Sequence, residues 1–195
     1  MTDYICKSIL KELNSKNIIK EDDMEVYYYG LQLLIATLFK CLGILIIAAF
    51  TGIVKETVVF IIFFSSLRIQ AGGYHAKTVL NCFIGTIILI SISIILVKIL
   101  FMAYQPYYIL ISMVASIALV FLYAPSESEN KPLTKEEEII YRRKSLQTVI
   151  IGNIIILILM AFSDKSIYFG VIASTGFLLE SLTLIHPCKR KSKTN

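Results

Sequence analysis

The feature that most constrains this chain is its succession of apolar blocks, each close to the length of a membrane crossing and joined by short polar connections. They run over about 31–53, 55–70, 79–101, 106–123, 146–163 and 166–185. In hydrocarbon every backbone N–H and C=O must be satisfied within the protein, by helices or a closed barrel, and blocks of this length suit helices. A full crossing takes roughly 17–25 residues. The second block, KETVVFIIFFSSLRIQ, is marginal by that rule. The chain is 56% hydrophobic and 17% charged, with mean hydropathy +0.74. Soluble domains have about 45–50% apolar and 25% charged residues. The expectation is an all-α polytopic bundle of about six transmembrane helices in one domain over 1–195. There is no tryptophan, and several of the eleven tyrosines, among them Tyr104, Tyr107, Tyr123 and Tyr168, stand near block ends, where the membrane–water interface suits them.

The segment 4–22 is different. Ile5, Ile9, Leu10 and Leu13 recur at helical spacing with Lys7, Lys11 and Glu12 between them. This predicts an amphipathic interfacial helix, or one packed on the protein, and not a crossing. Its mixed, charged beginning does not read as a cleavable signal. The connections then alternate in basic charge. Those rich in it are the amino-terminal segment, the turn with Arg68 and Lys77, the loop 124–145 and the tail 186–195; those poor in it lie near 52–56, 102–106 and 164. The positive-inside rule puts both termini, the turn 68–78 and the loop 124–145 in the cytoplasm of a multi-pass cell-membrane protein. The net charge of +5 is small, and no DNA-binding motif or basic domain points to nucleic acid. The expected surroundings are membrane lipids.

Chemistry concentrates in RIQAGGYHAKTVLNC, residues 68–82. A histidine beside a cysteine can take the thiol proton and yield the nucleophilic thiolate. His75 and Cys82 are seven apart, which on one straight helix means about 10.5 Å along the axis. That is too far for proton transfer. A reactive pair needs a bend, and Gly72-Gly73 supplies one. A helix restarting near Val79 would put Cys82 about one turn inside it. Arg68 has two readings: snorkelling toward headgroups, or binding a substrate carboxylate, carbonyl or oxyanion. Elsewhere, Lys40 and Glu180 are charges inside apolar blocks that could pair. Cys6, Cys41, Cys82 and Cys188 form no CxxC pair or metal-spaced cluster. No metal or cofactor is expected, and His186 and Cys188 receive no role.

Arg68, Gly72-Gly73-Tyr74-His75-Ala76-Lys77 and Cys82 together resemble the signature of the AgrB family, membrane endopeptidases that process AgrD-type propeptides in quorum sensing. Tyr29-Gly30-Leu31 resembles the start of the family's first span. Ala124-Pro125, Asn130-Lys131-Pro132-Leu133 and Arg142-Arg143-Lys144-Ser145 resemble its central cytoplasmic loop. The likeness covers roughly 4–185. It implies Cys82 as nucleophile and His75 as general base, then acid, with Arg68, Gly72 and Gly73 supporting the site. It implies an AgrD-like propeptide with an amphipathic leader and an acidic tail, an acyl-enzyme thioester, and release of a thiolactone or lactone. Lys131, Arg142, Arg143 and Lys144 are candidates to meet the tail, or simply topology charges. The resemblance also implies a homodimer. The alternatives are a small peptide exporter, disfavoured by the lack of a nucleotide-binding motif or inverted repeat, and a non-catalytic membrane adaptor.

Overall fold

The computed structural model describes residues 6, 8–12, 24–73, 79–100, 104–126, 134–161 and 164–185. These residues are helical apart from turns, caps and one isolated bridge between Gly72 and Ser126. A short α1 (8–12) precedes α2 (Met24–Thr51), α3 (Val54–Ala71), α4 (Val79–Ile99), α5 (Gln105–Tyr123), α6 (Lys135–Met160) and α7 (Asp164–Thr183). The expected all-α polytopic architecture is the one observed. The basic tail from residue 186 lies outside the described residues.

The chain divides into two compact units, residues 1–52 and 53–195. In the first, Cys6 and Leu10 are buried while Ser8, Ile9, Lys11 and Glu12 are exposed. Burial is one-sided, but Ile9, expected on the apolar face, is exposed, and Ile5, Lys7 and Leu13 lie outside the described residues. α2 is apolar from Gly30 to Thr51 and long enough to cross a membrane.

The second unit is built around α7. Residues 171–177 are buried without a break, so this helix is enclosed on all sides. Small residues permit that. A Cβ at Gly176 would lie 3.3 Å from the Phe60 carbonyl oxygen, so the backbones of α7 and α3 approach closely there, as small residues allow between membrane helices. The Ser174, Thr175 and Ser181 hydroxyls donate to carbonyls three or four residues back, which satisfies polar groups that lipid could not.

α3 and α7 run parallel and in step. Tyr168 Oη donates to Glu56 Oε1 at 3.1 Å, and Arg68 pairs with Glu180 at 3.0 Å; both pairs are 112 residues apart in sequence. From Glu56 to Arg68 is about 18 Å of helix rise. The buried residues of α3 are Thr57, Phe60, Phe64, Leu67 and Ala71, a three–four spacing that faces one side. Among the described residues, five helices are long and apolar enough to cross a membrane. α3 is not among them because it carries Lys55, Glu56 and Arg68. It runs in step beside α7, which is one of the five.

α6 packs against α7 where Gly152 meets the Phe177 ring. Both are buried. A methyl at residue 152 has no room, so Gly152→Ala is expected to cost about 1–3 kcal/mol by overpacking. Phe177→Leu in the same chain should restore part of it. Thermal unfolding in detergent checks this; an unchanged midpoint for Gly152→Ala would sink it.

Candidate functional site

The polar stretch at 68–82 does break the helix. α3 ends at Ala71 and α4 begins at Val79. Gly72 has φ 76° and ψ −133° and donates its N–H to the Arg68 carbonyl at 3.0 Å. Gly73 follows with φ 117°. L-residues with side chains rarely adopt such conformations. The exit is also held from outside. Ser126 N–H, just past the end of α5, donates to the Ala71 carbonyl at 2.8 Å. A Cβ at Gly72 would lie 2.5 Å from the Ser126 carbonyl oxygen. The ends of α3 and α5 are therefore stitched together by main chain.

The end of α7 joins them through charge. Arg68 Nη1 donates to Glu180 Oε1 at 3.2 Å and to Oε2 at 3.0 Å. The Glu180 side chain has no exposure and that of Arg68 has 19%. The guanidinium also lies 5.7 Å from the Phe64 ring centroid, a favourable distance for a cation over an aromatic face. Gly73 rests on this pair. Its absent Cβ would be 2.6 Å from Thr183 Oγ1, 3.1 Å from Glu180 Oε1 and 3.5 Å from Arg68 Nη1. Thr183 Oγ1 donates to the Glu180 carbonyl at 2.8 Å.

Cys82 is the fourth residue of α4, within its first turn, and is half-buried. It is not in a disulfide, and its carbonyl accepts from Thr86 Oγ1 at 2.8 Å. His75 and Lys77 lie outside the described residues, as do Lys131, His186 and Cys188. The structure thus brings Arg68, Gly72 and Gly73 together and puts Cys82 at the start of the next helix.

The three adjacent cations on α6 do not form one patch, because consecutive helical residues are turned by about 100°. Arg142 Nη2 donates to the Phe121 carbonyl at 3.2 Å, and its guanidinium lies 5.4 Å from the Phe121 ring centroid. It thereby satisfies a carbonyl left over at the end of α5. Arg143 and Lys144 are exposed. Lys144 borders an open groove of about 520 Å³ between α3 and α6, with Gln70, Gln147 and Ser66 at its polar part and Ile62, Ile151 and Ile155 at its apolar part. Among the described residues no His, Cys, Asp and Glu cluster could hold a metal ion.

Sequence reasoning identified Glu180 as an unusual charge but considered Lys40 for its partner. The partner in the structure is Arg68. The equal depth emerges only with the helix ends: Arg68 stands three residues before the end of α3 and Glu180 three before the end of α7, whereas the blocks 55–70 and 166–185 put them two and five residues from their ends. Thr183 and Ser126 had no sequence signal either, since their part depends on the two glycines they approach.

Comparison with known proteins gives a consistent result. The family model described as AgrB, accessory gene regulator B, matches residues 2–184. AgrB-like protein 1 of Clostridium perfringens is 29% identical over 185 residues, covering 95% of this chain and 96% of its own. An AgrB-like protein of Listeria innocua is 29% identical over 80% of this chain and 78% of its own. Accessory gene regulator protein B of Staphylococcus aureus is 26% identical over 80% of this chain and 79% of its own. No solved structure matches.

Proposed function

The chain belongs to the AgrB family, and from this premise we propose that it is a membrane-embedded cysteine endopeptidase that trims and cyclises an AgrD-like propeptide. The observation that carries the reading is the helix break. A continuous helix through 68–82 would hold Cys82 too far from His75 for proton transfer. Instead α3 ends at a two-glycine exit and Cys82 lies in the first turn of a new helix that starts at Val79, with His75 between the two in sequence.

His75 takes the Cys82 proton, and the thiolate attacks the carbonyl before the acidic tail. The tetrahedral intermediate collapses as the C–N bond breaks, and His75 returns the proton to the leaving amine. The signal segment is left as a thioester on Cys82. An internal Cys thiol or Ser hydroxyl of the peptide then attacks that carbonyl, the Cys82 thiol leaves, and a thiolactone or lactone forms. Ring closure wins over hydrolysis because its nucleophile is held nearby and apolar helices limit water. The alternation of basic connections supports a cytoplasmic site and cytoplasmic termini. Arg143 and Lys144, with Lys131, are assigned to the acidic tail, whereas Arg142 is engaged at the end of α5. No metal or cofactor enters the reaction. The working unit is the whole chain as one peptidase domain, in a homodimer.

The test is intact-mass analysis of protein co-expressed with a short AgrD-like propeptide that carries an internal Cys or Ser. The expected result is an adduct of leader plus signal segment, removed by hydroxylamine and absent in Cys82→Ala. A folded wild-type protein that leaves the propeptide whole and unattached would overturn the reading and favour export or an adaptor role.

A further inference from the structure

A carboxylate without any exposure in a membrane-crossing helix is costly and persists only with a partner. Glu180 has that partner in Arg68. Yet the pair is one of several links between α3 and α7. Phe63 packs edge-on to Phe177 with ring centroids 5.2 Å apart, and Gly176 already lets the two backbones meet. Apolar residues of similar volume often replace a buried ion pair without loss of stability.

What the pair adds is the seat of the two glycines. The Arg68 carbonyl accepts the Gly72 N–H. The Arg68 guanidinium and the Glu180 carboxylate form two of the three groups against Gly73. One residue thus holds the exit by both its main chain and its side chain, and Glu180 fixes that side chain by both carboxylate oxygens. His75 is two residues further along the chain. We propose that Glu180 is a positioning residue for the reaction above: by clamping Arg68 it seats Gly72-Gly73 and sets where the chain leaves α3 toward His75 and Cys82. The role rests on the peptidase reading. Glu180 is assigned this role through Arg68 and Gly73, the groups it meets.

The experiment compares wild type, Glu180→Gln, Arg68→Met/Glu180→Leu and Cys82→Ala, each purified in detergent, in single-turnover acylation by a synthetic AgrD-like propeptide with an internal Cys and an acidic tail. Thermal unfolding is followed alongside. The double variant removes both charges together, so neither is left buried alone. It is expected to unfold at the wild-type temperature and to reach half-saturation at the wild-type propeptide concentration. Its acylation rate should be about 100-fold lower, the scale set by a misplacement of about 1 Å at a reacting centre. A purely structural pair would move the unfolding temperature and leave the rate per folded molecule intact. That outcome, or a raised half-saturation with an unchanged rate, overturns the inference. Glu180→Gln is run alongside whether or not the double variant folds, because it leaves Arg68 in place and so isolates Glu180: its amide keeps the shape but offers Arg68 only one oxygen. Slower acylation at unchanged half-saturation supports the role, and wild-type kinetics overturn it. A wild type that forms no adduct at Cys82 removes the peptidase reading itself, whereas normal acylation in both wild type and variant removes only the positioning role.

Discussion

His75→Ala is expected to lower the rate of Cys82 acylation by about 10²–10⁴-fold, the usual contribution of a positioned general acid–base. Two steps suffer together. Without its base the Cys82 thiol has no group placed to take its proton, and the thiolate is the nucleophile. The departing amine also loses its proton donor, and an amine anion is a very poor leaving group. The rate should therefore fall by more than the lost deprotonation alone accounts for. Thermal unfolding should stay at the wild-type value. His186→Ala, which alters the only other histidine, should acylate like wild type. The readout is single-turnover thioester formation followed by intact mass. If the well-folded His75→Ala protein acylates at the wild-type rate, His75 is not the base, and the dyad must be abandoned even if Cys82 proves to be the nucleophile.

The parts of the fold that were legible are those written in hydropathy. The blocks at 79–101 and 106–123 correspond within two residues to α4 and α5. The short second block became α3, Val54–Ala71. What hydropathy missed were polar extensions of helices. α6 begins at Lys135, eleven residues before the apolar block at 146, because KEEEIIYRRKS looks like a charged loop. The local signal was there: Thr134 accepts from the Glu137 N–H while Glu137 accepts from the Thr134 N–H, a capping box with Glu136, Glu137 and Glu138 in the first turn. At the site, the need for a bend followed from spacing alone, and the glycine pair identified where it would be. That Gly72 meets Ser126 and that Gly73 meets Glu180 was not legible. Such contacts depend on how three helix ends converge, and residues more than fifty apart in sequence carry no local pattern that states it.

That convergence makes Gly72→Ala the substitution with the largest expected structural effect. The backbone at Gly72, φ 76° and ψ −133°, lies where a Cβ is strained, at about 1–3 kcal/mol. The new methyl would also stand 2.5 Å from the Ser126 carbonyl oxygen. That atom belongs to main chain and cannot swing aside as a side chain can. Relief requires moving the α5 end away, which breaks the Ser126 N–H to Ala71 carbonyl bond at about 0.5–1.5 kcal/mol. The total expected loss is about 2–4 kcal/mol. Gly85→Ala serves as the contrast. It lies within α4 with nothing within 4 Å of its Cβ position, and alanine in a helix interior is favoured over glycine by about 0.8–1 kcal/mol. Thermal unfolding should therefore fall for Gly72→Ala and hold or rise for Gly85→Ala. Acylation separates position from stability: measured well below its own unfolding temperature, Gly72→Ala should still be slow, because the exit from α3 has moved, while Gly85→Ala should match wild type. If Gly72→Ala proves as stable and as active as Gly85→Ala, the α3–α5 stitch does not hold the exit in place, and the site's geometry must be fixed from α4 instead.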